Sequence, residues 1–351
     1  MSSVPATMKA VVIEEGRRIS IKDHPVPPVG DNDVLVKTVS VAQNPTDWKH
    51  IYFGLGVPGT ILGCDYSGNV VKVGKSVTSL KVGDHVAGFV HGAAFPDEGA
   101  FAEYVKIAAD LVWPVPEHTL SHDQAATFGC AFWTAVQALY HPTRLGLVEP
   151  PVKASGNEWI FVYGGSSAVG QFAIQLLRLS GYKIVTTASP RNFELIKSLG
   201  ADAVFDYRDP EVVSKIKAAT GDSITNVLDA ISVKDTQRIS AASVAPSGGK
   251  VVLVLRRPPG VTDRKDVDFH ETVIYTALGR AFAWPWADYP VSDEDRAHMV
   301  QFLKKVPVLL KDGSIKPVPV KLWEGGLGAI PDGLQYMREG KVSAEKIVYR
   351  V

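Results

Sequence analysis

The sequence predicts an α/β protein in which a doubly wound parallel sheet is set inside a second, mostly β domain. Three observations predict this fold class. Short β-branched runs broken by Gly and Pro fill the first third of the chain, and strand-like and helix-like segments alternate after Gly156. The 351 residues, 46% of them hydrophobic, are also enough for two cores, since single cores stop growing near about 250–300 residues.

Charge and cysteine content exclude several classes of function. Lys plus Arg and Asp plus Glu each total 37, so no net charge favours binding to nucleic acid or to an anionic membrane. Met1–Lys9 lacks the apolar stretch of a signal peptide, and no apolar run approaches the about 20 residues that span a bilayer, so we expect a cytoplasmic protein. Cys64 and Cys130 are too few for a disulfide framework or a four-Cys zinc site.

The first part of the chain is typical of an antiparallel sheet or a small barrel. From Lys9 to about Val115, runs such as Asp33–Val41 alternate with Gly and Pro. The next segment, Ser121–Tyr140, begins with a candidate Ser cap and continues with helix formers. It predicts one helix that joins the two domains.

The following segment alternates strands with helices, which implies a parallel sheet with helices on both faces. The predicted strands are 159–163, 183–188, 203–206, 226–230 and 250–255, and the predicted helices between them are 171–179, 192–199 and 211–219. A strand near 272–276 and a helix over 293–310 complete this domain. From Ile315 onward, Pro-interrupted strands and a short helix near 331–338 predict a return to the first domain.

The segment Ile160–Ile174 places an apolar strand directly before an amphipathic helix, with a turn of small residues between them. A dinucleotide requires this order, because backbone N–H groups and the positive end of the helix dipole then face the pyrophosphate. Gly170 permits close packing of the helix on the strand. The predicted cofactor contacts in this turn are Gly164, Gly165, Ser166, Ser167, Ala168 and Val169. A purely structural turn is the alternative, which the surrounding βα alternation disfavours.

The end of the next strand decides between the two nicotinamide cofactors. An acidic residue there binds the ribose 2′-hydroxyl of NAD and repels the 2′-phosphate of NADP. This chain has Ser189 and Arg191 instead, and a guanidinium pairs well with a phosphate, although a solvated surface arginine is the alternative. We therefore predict NADPH as the cofactor. Tyr207, after the third strand, is predicted on its adenosine side or in ordinary packing.

No cluster of residues predicts a catalytic metal. His118 and His122 have i, i+4 spacing, but the candidate cap Ser121 between them puts the pair on a turn rather than on one helix face. Without a metal to polarise an alcohol oxygen, zinc-type alcohol oxidation is disfavoured.

From Met8–Val12 to Glu345–Tyr349 the whole chain resembles zinc-free members of the medium-chain dehydrogenase/reductase superfamily. In the zinc-dependent relatives, a Cys after an early strand and a His in a Gly-His-Glu string bind the metal. This chain has Asn44–Lys49 and Gly63–Asp65 at those places. The resemblance implies a GroES-like substrate domain over 1–124 and 312–351 and a Rossmann domain that binds NADPH over 125–311.

Six strings carry a closer resemblance. They are Asn44–Lys49, Gly63–Gly68, Tyr163–Ser167, Leu179–Tyr182, Ser189–Phe193 and Phe205–Arg208. Together they are most similar to fungal trans-acting enoyl reductases of polyketide synthesis, whereas quinone reductases of the superfamily usually have Tyr where Lys49 stands. The resemblance implies a reductase of activated C=C bonds in enoyl, enal or enone substrates, either free or carried as a thioester, with a polyketide synthase as partner.

Two residues are predicted to be catalytic. Lys49 follows a rigid Asn-Pro turn that, by the resemblance, faces the nicotinamide; a solvated surface lysine is the alternative. Thr134 matches the position whose hydroxyl approaches the nicotinamide in this family, and a hydroxyl bonded back to its own helical turn is the alternative. Aromatic side chains predicted to wall an apolar substrate pocket are Phe53, Phe132, Trp284, Trp286 and Tyr289, with core packing as the alternative.

Three functions remain open at this point: an alkene reductase, a quinone reductase, and a non-catalytic NADPH-binding protein. Fold alone does not separate them.

Overall fold

The computed structural model describes residues 4–154 and 156–351. Met1, where the predicted first domain begins, lies outside the described residues, as do Ser2, Ser3 and Ser155. The chain divides into a first unit, Met1–Trp133 with Tyr275–Val351, and a second unit, Thr134–Ile274. Within the described ranges, every helix is too short or too polar to cross a lipid bilayer.

The first unit is built mainly on antiparallel strands, and its elements come from both ends of the chain. Its strands are β1 (Thr7–Glu14), β2 (Arg18–Pro25), β3 (Asp33–Ala42), β4 (Asp65–Val73), β5 (His85–Phe89), β6 (Tyr104–Ala108), β7 (Val112–Pro114), β14 (Phe282–Trp284), β15 (Ala287–Tyr289), β16 (Val320–Leu322) and β17 (Lys346–Arg350). Its helices are α1 (Pro45–Tyr52), α2 (His122–Ala125), α8 (Asp293–Leu303), α9 (Val306–Lys311) and α10 (Ile330–Arg338).

Seven of these strands form the main sheet of the first unit. The strand order is β16-β17-β3-β4-β5-β7, and β6 also pairs with β3. The C-terminal strand β17 runs antiparallel to β3, with Val348 opposite Ala42, so the last residues of the chain complete the sheet begun near residue 33. Buried and half-buried residues alternate along β6, whereas β5 and β17 are buried along most of their length.

The second unit is a six-stranded parallel sheet flanked by helices. Its strands are β8 (Trp159–Tyr163), β9 (Lys183–Ala188), β10 (Ala203–Asp206), β11 (Asn226–Asp229), β12 (Gly249–Leu253) and β13 (Val267–Glu271), in the order β10-β9-β8-β11-β12-β13. Its helices are α4 (Ala168–Leu179), α5 (Phe193–Ser198), α6 (Val212–Thr220) and α7 (Lys234–Ser243), and α3 (Cys130–Tyr140) contributes its residues from Thr134 onward. The predicted α/β fold class with a doubly wound parallel sheet is confirmed.

The single helix predicted over Ser121–Tyr140 is wrong. Ser121 does cap α2, since its Oγ accepts from the Gln124 N–H at 3.3 Å, but the helical path stops at Gly129 before α3 begins. A Cβ at Gly129 would lie 2.2 Å from the carboxylate of Asp65. The same carboxylate accepts a 2.6 Å hydrogen bond from the Cys130 N–H, so a distant side chain starts the second helix here.

Two further elements differ from prediction. The strand predicted at 272–276 is wrong: β13 lies earlier, at Val267–Glu271, and residues 274–278 form a 3-10 helix. The ladder ends where β12 ends, with the Thr272 N–H bonded to the carbonyl of Leu253. The helix predicted over 293–310 is interrupted between α8 and α9, because Pro307 has no N–H to donate to the carbonyl of Leu303, the last residue of α8.

The segment 275–311 also belongs to the compact first unit, although the sequence analysis assigned it to the nucleotide domain. Side-chain contacts hold it there. Arg280 pairs with Asp97 at 3.0 Å and with Glu98, and Arg296 pairs with Asp110 at 2.7 Å.

Candidate active site

The turn between β8 and α4 is shaped by backbone hydrogen bonds. Gly164 has φ +82°, a left-handed conformation that a side chain would strain. The Gly165 N–H donates to the carbonyl of Thr187 at 2.9 Å, which anchors the turn to the end of β9. Ser167 caps α4 by accepting from the Gly170 N–H at 3.0 Å. The turn therefore presents the start of a twelve-residue helix beside the ends of two parallel strands.

Close packing fixes the path of this turn. A Cβ on Gly170 would lie 2.3 Å from the carbonyl oxygen of Gly164, so only glycine lets the helix start this near the turn. The remaining side chains, Ser166 to Val169, are small, and all four residues are partly exposed. A concave turn of small residues at a helix N-terminus, where N–H groups have no partner inside the helix, fits the pyrophosphate of a dinucleotide.

The other predicted cofactor residues follow the neighbouring strands at the same edge of the sheet. Ser189 comes directly after β9, and Arg191 lies in the short 3-10 turn that follows, exposed and without an ion pair in the described ranges. Tyr207 follows β10; it is 38% exposed, and Arg208 lies over its ring at 4.6 Å. The structure thus brings the turn, Ser189, Arg191 and Tyr207 to the carboxyl ends of adjacent parallel strands. No carboxylate side chain occurs from Ser189 to Asn192.

In the first unit, α1 follows the Asn44-Pro45 turn. The Asn44 N–H donates to Oδ2 of Asp47 at 2.6 Å, which closes the start of the helix. Burial raises the pKa of Asp47 to about 8, the hydrogen bond from the Asn44 backbone opposing that shift. Asp47 therefore supports the turn from inside the protein.

Lys49 lies on the same helix in a half-buried position. Burial lowers the pKa of its ammonium, and its Nζ lies 5.8 Å from the centre of the Trp48 ring. No carboxylate in the described part of the chain pairs with it. A partly desolvated lysine without a fixed partner can donate a hydrogen bond or a proton to a ligand.

A buried lysine, Lys346, binds side chains of the two strings that the sequence analysis compared with the metal-binding strings of zinc-dependent relatives. Nζ of Lys346 lies 2.5 Å from Oδ2 of Asp65 and 2.7 Å from Oδ1 of Asn44, and Lys346 and Asp65 are 2% and 0% exposed. Cys64 contacts the hydroxyl of Tyr275 at 3.7 Å, and burial raises the pKa of its thiol. These residues do not fit zinc, because a metal ligand must be deprotonated and available. Among the described residues, no group of three or more His, Cys, Asp or Glu is arranged to hold a metal.

Thr134, the second predicted catalytic residue, lies on α3 and is 6% exposed. In the described part of the chain its hydroxyl makes no hydrogen bond, and in particular none to its own helical turn. The side chain remains available to a ligand that reaches it.

The aromatic residues predicted to line a substrate pocket differ in how deeply they are buried. Trp284 and Trp286 contact each other at 5.5 Å, and Phe282 stacks on Tyr289 at 4.7 Å, which makes the β14–β15 hairpin aromatic. Phe53 is 54% exposed. Phe132, in contrast, is fully buried and packs against two other core rings, those of Phe128 and Phe302.

Sequence reasoning missed four residues of the first unit. Tyr275 lay in a segment predicted as a strand; its hydroxyl contacts Oγ1 of Thr46 at 2.6 Å, and its ring stacks on His91 at 3.9 Å. His50 follows Lys49 and lies 5.9 Å from the Tyr275 ring. The available signal for Lys346 was a lysine directly before three buried residues, Ile347 to Tyr349, in the terminal strand. His91 carried no signal that we can identify.

Comparison with known families and proteins agrees with this architecture. Residues 30–117 match the family described as alcohol dehydrogenase GroES-like domain, and residues 168–286 match the family described as zinc-binding dehydrogenase. The crystal structure of CurK enoyl reductase superimposes with a TM-score of 0.77 at 20% identity, covering 99% of both chains, which shows the same fold.

Two curated fungal proteins are similar over most of the chain. Trans-enoyl reductase ACTTS2 of Alternaria alternata is 40% identical, covering 98% of this chain and 99% of that protein. Trans-enoyl reductase TOXD of Cochliobolus carbonum is 41% identical, covering 78% of this chain and 91% of that protein.

Proposed function

Because the chain belongs to the medium-chain dehydrogenase/reductase superfamily, we propose that this oxidoreductase of the enoyl reductase type uses NADPH and reduces activated C=C bonds in enoyl, enal or enone substrates without a metal. The observation that carries the chemistry is the 40% identity with a trans-enoyl reductase over nearly the whole of both chains. A free unsaturated carbonyl compound, or its thioester on a polyketide synthase, is the proposed substrate.

The second unit supports the cofactor part of the proposal. The turn from Gly164 to Val169 would hold the pyrophosphate through backbone N–H groups, and Ser189 with Arg191 would bind the 2′-phosphate. Tyr207 would lie along the adenosine. When bound, the nicotinamide supplies the hydride that the reaction requires.

Residues of the first unit support the proposed reduction of the C=C bond, because they include a candidate proton donor. Reduction of a conjugated C=C bond adds hydride at the β-carbon, places negative charge on the carbonyl oxygen, and requires a proton at the α-carbon. Lys49 would donate to that oxygen or supply that proton, and its lowered pKa makes the proton transfer easier than from an ordinary lysine. The Thr134 hydroxyl would orient the nicotinamide. Asp47 and Trp48 would keep the helix that carries Lys49 in place.

The proposal also explains why a metal is unnecessary. An alcohol or simple ketone needs its oxygen polarised before hydride transfer, whereas a conjugated alkene is already electrophilic at its β-carbon. The buried ion pair between Lys346 and Asp65 supports this interpretation, because the Asp65 carboxylate already has a cation as its partner.

A turnover assay tests the proposal. NADPH oxidation is measured against enoyl thioesters, enals, enones and quinones, with NADH and chelator-treated protein in parallel. We expect alkene reduction that prefers NADPH, survives chelation, and places deuterium at the product β-carbon from only one of the (4R) and (4S) deuterated cofactors. Efficient quinone reduction without alkene reduction would favour the quinone reductase instead. NADPH binding without turnover across the panel would favour the non-catalytic protein.

A further inference from the structure

Helix α1 ends in a pair of exposed aromatic side chains. Tyr52 and Phe53 are 45% and 54% exposed, and their ring centres lie 5.2 Å apart. Both rings also lie near the half-buried Trp48, with ring centres 6.1 and 6.2 Å away. Large apolar side chains that are exposed as a group, rather than singly, mark a surface that binds a partner.

Two exposed arginines from distant parts of the chain lie beside these rings. The guanidinium of Arg338, the last residue of α10, lies over the Tyr52 ring at 4.2 Å. A Cβ on Gly54 would lie 3.4 Å from Nε of Arg17, so this second guanidinium packs against the residue that follows Phe53. Arginine and aromatic side chains are the residues most enriched among those that dominate protein interfaces.

Lys49 adds a third positive charge, one helical turn before Phe53. In the described part of the chain, none of these three cations forms an ion pair. The carboxylates within three positions of either arginine are those of Glu14, Glu15 and Glu339. Glu14 and Glu339 already pair with other lysines, at 2.7 and 2.5 Å, so positive charge predominates around the rings.

The backbone at Arg17 shows that the hairpin does not require an arginine there. Gly16 and Arg17 have φ +73° and +60° in the turn between β1 and β2. Such a turn favours Gly or Asn, because the left-handed conformation strains most residues that carry a Cβ. The turn itself therefore gains nothing from arginine, and the exposed guanidinium is the feature that a partner would use.

The spacing of side chains along α1 matches a helical partner. Trp48 and Tyr52 are four residues apart, as are Lys49 and Phe53, and rows with this spacing form the ridges against which another helix packs. Carboxylates on either side of the apolar stripe of that helix would pair with the cations. An anionic membrane fits less well, since electrostatic membrane binding uses clusters of about four to eight Lys and Arg.

We propose that this surface docks an acidic amphipathic helix of a protein partner. The basic aromatic surface consists of Arg17, Trp48, Lys49, Tyr52, Phe53 and Arg338. The exposed rings receive the apolar stripe of the helix, and the two arginines with Lys49 select a negatively charged helix over a positively charged one. This inference goes beyond the proposed function and does not depend on it.

A stapled helical peptide of about 14 residues tests the docking, because unconstrained helices of this length are only marginally stable. Leucines spaced three or four residues apart line one face, with glutamates on both sides of them. A second peptide carries lysine in place of each glutamate. Calorimetry at low ionic strength measures binding to the cofactor-free protein. We expect the glutamate peptide to bind about tenfold more tightly, the combined effect of three exposed ion pairs, and added salt to reduce the difference.

Variants of the surface locate the binding. The double variant Arg17→Glu with Arg338→Glu should make the lysine peptide the tighter ligand, and Tyr52→Ser should weaken both peptides. Lys72→Glu is the matched control, since it reverses the charge of an exposed lysine on β4 and should change neither affinity. Equal affinity of the unaltered protein for the two peptides, or a glutamate preference that survives the double variant, would overturn the proposal.

Arg17→Asn keeps the test decisive if the double variant does not fold. Asparagine suits the left-handed turn, so this variant should keep or raise the Tm and yet weaken the glutamate peptide about threefold. Unchanged affinity would contradict the role of Arg17 and overturn the proposed surface.

Two other occupants have their own measurements. Analytical ultracentrifugation detects self-association, and flotation with vesicles that contain phosphatidylserine detects membrane binding. Self-association that Tyr52→Ser abolishes would assign the surface to a second copy of this chain, and vesicle binding that Arg17→Asn abolishes would assign it to a membrane. Either result would overturn the acidic helix. Because no assay here uses substrate or cofactor, failure of docking leaves the proposed reductase activity standing, and failure of turnover leaves the docking standing.

Discussion

Two regions of the molecule are shaped by different kinds of contact. One is the turn from Gly164 to Val169 in the second unit, and the other is the buried lysine–carboxylate cluster of the first unit (Asn44, Asp65 and Lys346). The turn is one run of six small residues whose shape comes from backbone hydrogen bonds and from glycines that permit close approach. In the cluster, Lys346 binds two side chains that lie more than 280 positions earlier in the sequence, and Asp65 also accepts a hydrogen bond from the Cys130 N–H. Apart from its glycines, the turn should therefore tolerate side-chain changes that the cluster does not.

The largest effect is expected at Lys49, the side-chain donor of the proposed reaction. Lys49→Ala should lower kcat/KM for an enoyl substrate about 10²–10⁴-fold if the ammonium transfers a proton, and less if it only orients the substrate. Steady-state kinetics measure the loss, and NADPH affinity should stay unchanged. Because burial lowers the pKa of Lys49, kcat should fall with rising pH below the usual lysine pKa of 10.5, and this fall should vanish in the variant.

Lys37→Ala is the matched control, since Lys37 is an exposed lysine on β3 of the same unit. It should leave kinetics unchanged. Equal kcat/KM for the Lys49→Ala protein and the unaltered protein would remove Lys49 from the mechanism.

The next effect concerns stability and tests the side-chain cluster itself. Lys346→Met should destabilise the protein by about 3–5 kcal/mol, because it leaves the Asp65 carboxylate buried without its cation. Urea unfolding followed by fluorescence measures the change. The double variant Asp65→Asn with Lys346→Met should recover much of the loss, since no buried charge remains.

Lys321→Met provides the comparison on the neighbouring strand β16. Lys321 pairs with Glu345 at 3.1 Å, but both side chains are about one-third exposed, so the loss should be within about 1 kcal/mol. Equal losses for the two lysine variants would show that the buried pair has no special role.

A smaller effect is expected beside the turn. Arg191→Ala should weaken NADPH binding about ten- to a hundredfold, because a charge-assisted hydrogen bond to the 2′-phosphate contributes about 1.5–3 kcal/mol. NADH binding should not change, since NADH has no 2′-phosphate. Titration of cofactor fluorescence measures both affinities, with Arg238→Ala, on the exposed face of α7, as control. Equal affinity of the unaltered protein for NADPH and NADH would contradict the assignment.

The smallest expected effect is a pH dependence of stability that originates in the first unit. The turn from Gly164 to Val169 contains no titratable side chain and does not contribute to it. In the first unit, Ser67 Oγ contacts Nε2 of His85 at 2.9 Å and Nδ1 of His122 at 3.0 Å. Burial, and secondarily the charge of His122, lower the pKa of His85 to about 4. The folded protein therefore favours neutral His85, so stability is full above the ordinary value of 6.5 and falls as the pH drops from 6.5 towards 4.

We expect this decline to contribute about 1 kcal/mol after discounting for partial solvent exposure, or about 2–4 °C in the apparent Tm. Thermal melts at several pH values measure it, and His85→Gln should flatten the profile over this interval. A Tm that rises as the pH drops through this range would reverse the sign of the argument.

The sequence by itself determined the second unit closely. Strands β8, β9 and β10 lie at the predicted residues, because each is a short run of mostly apolar or β-branched residues between turn residues. β8 and β9 are buried from their second residue onward, and β10 is half-buried. The turn from Gly164 to Val169 was identified for the same reason: consecutive residues supply all of its geometry. The family was also identifiable from short strings along the whole chain.

Only the tertiary structure decided where elements end and which side chains meet. The break at Gly129 depends on Asp65, a residue 64 positions away in the printed sequence whose carboxylate would collide with a Cβ there. The position of β13 depends on where β12 ends rather than on the β-branched residues after Thr272. Local propensity cannot contain this information, because a partner across the fold overrides it.

The same reason explains what sequence reasoning missed at the candidate site. Lys346, Tyr275 and His91 have no sequence neighbours that reveal their partners, and each contacts α1 or its cap residue Asn44 through the tertiary fold. Burial, which exists only in the folded state, raises the pKa of Tyr275 and lowers that of His91. Sequence determined the backbone site because its contacts are local, and the tertiary structure decided the side-chain sites because theirs are not.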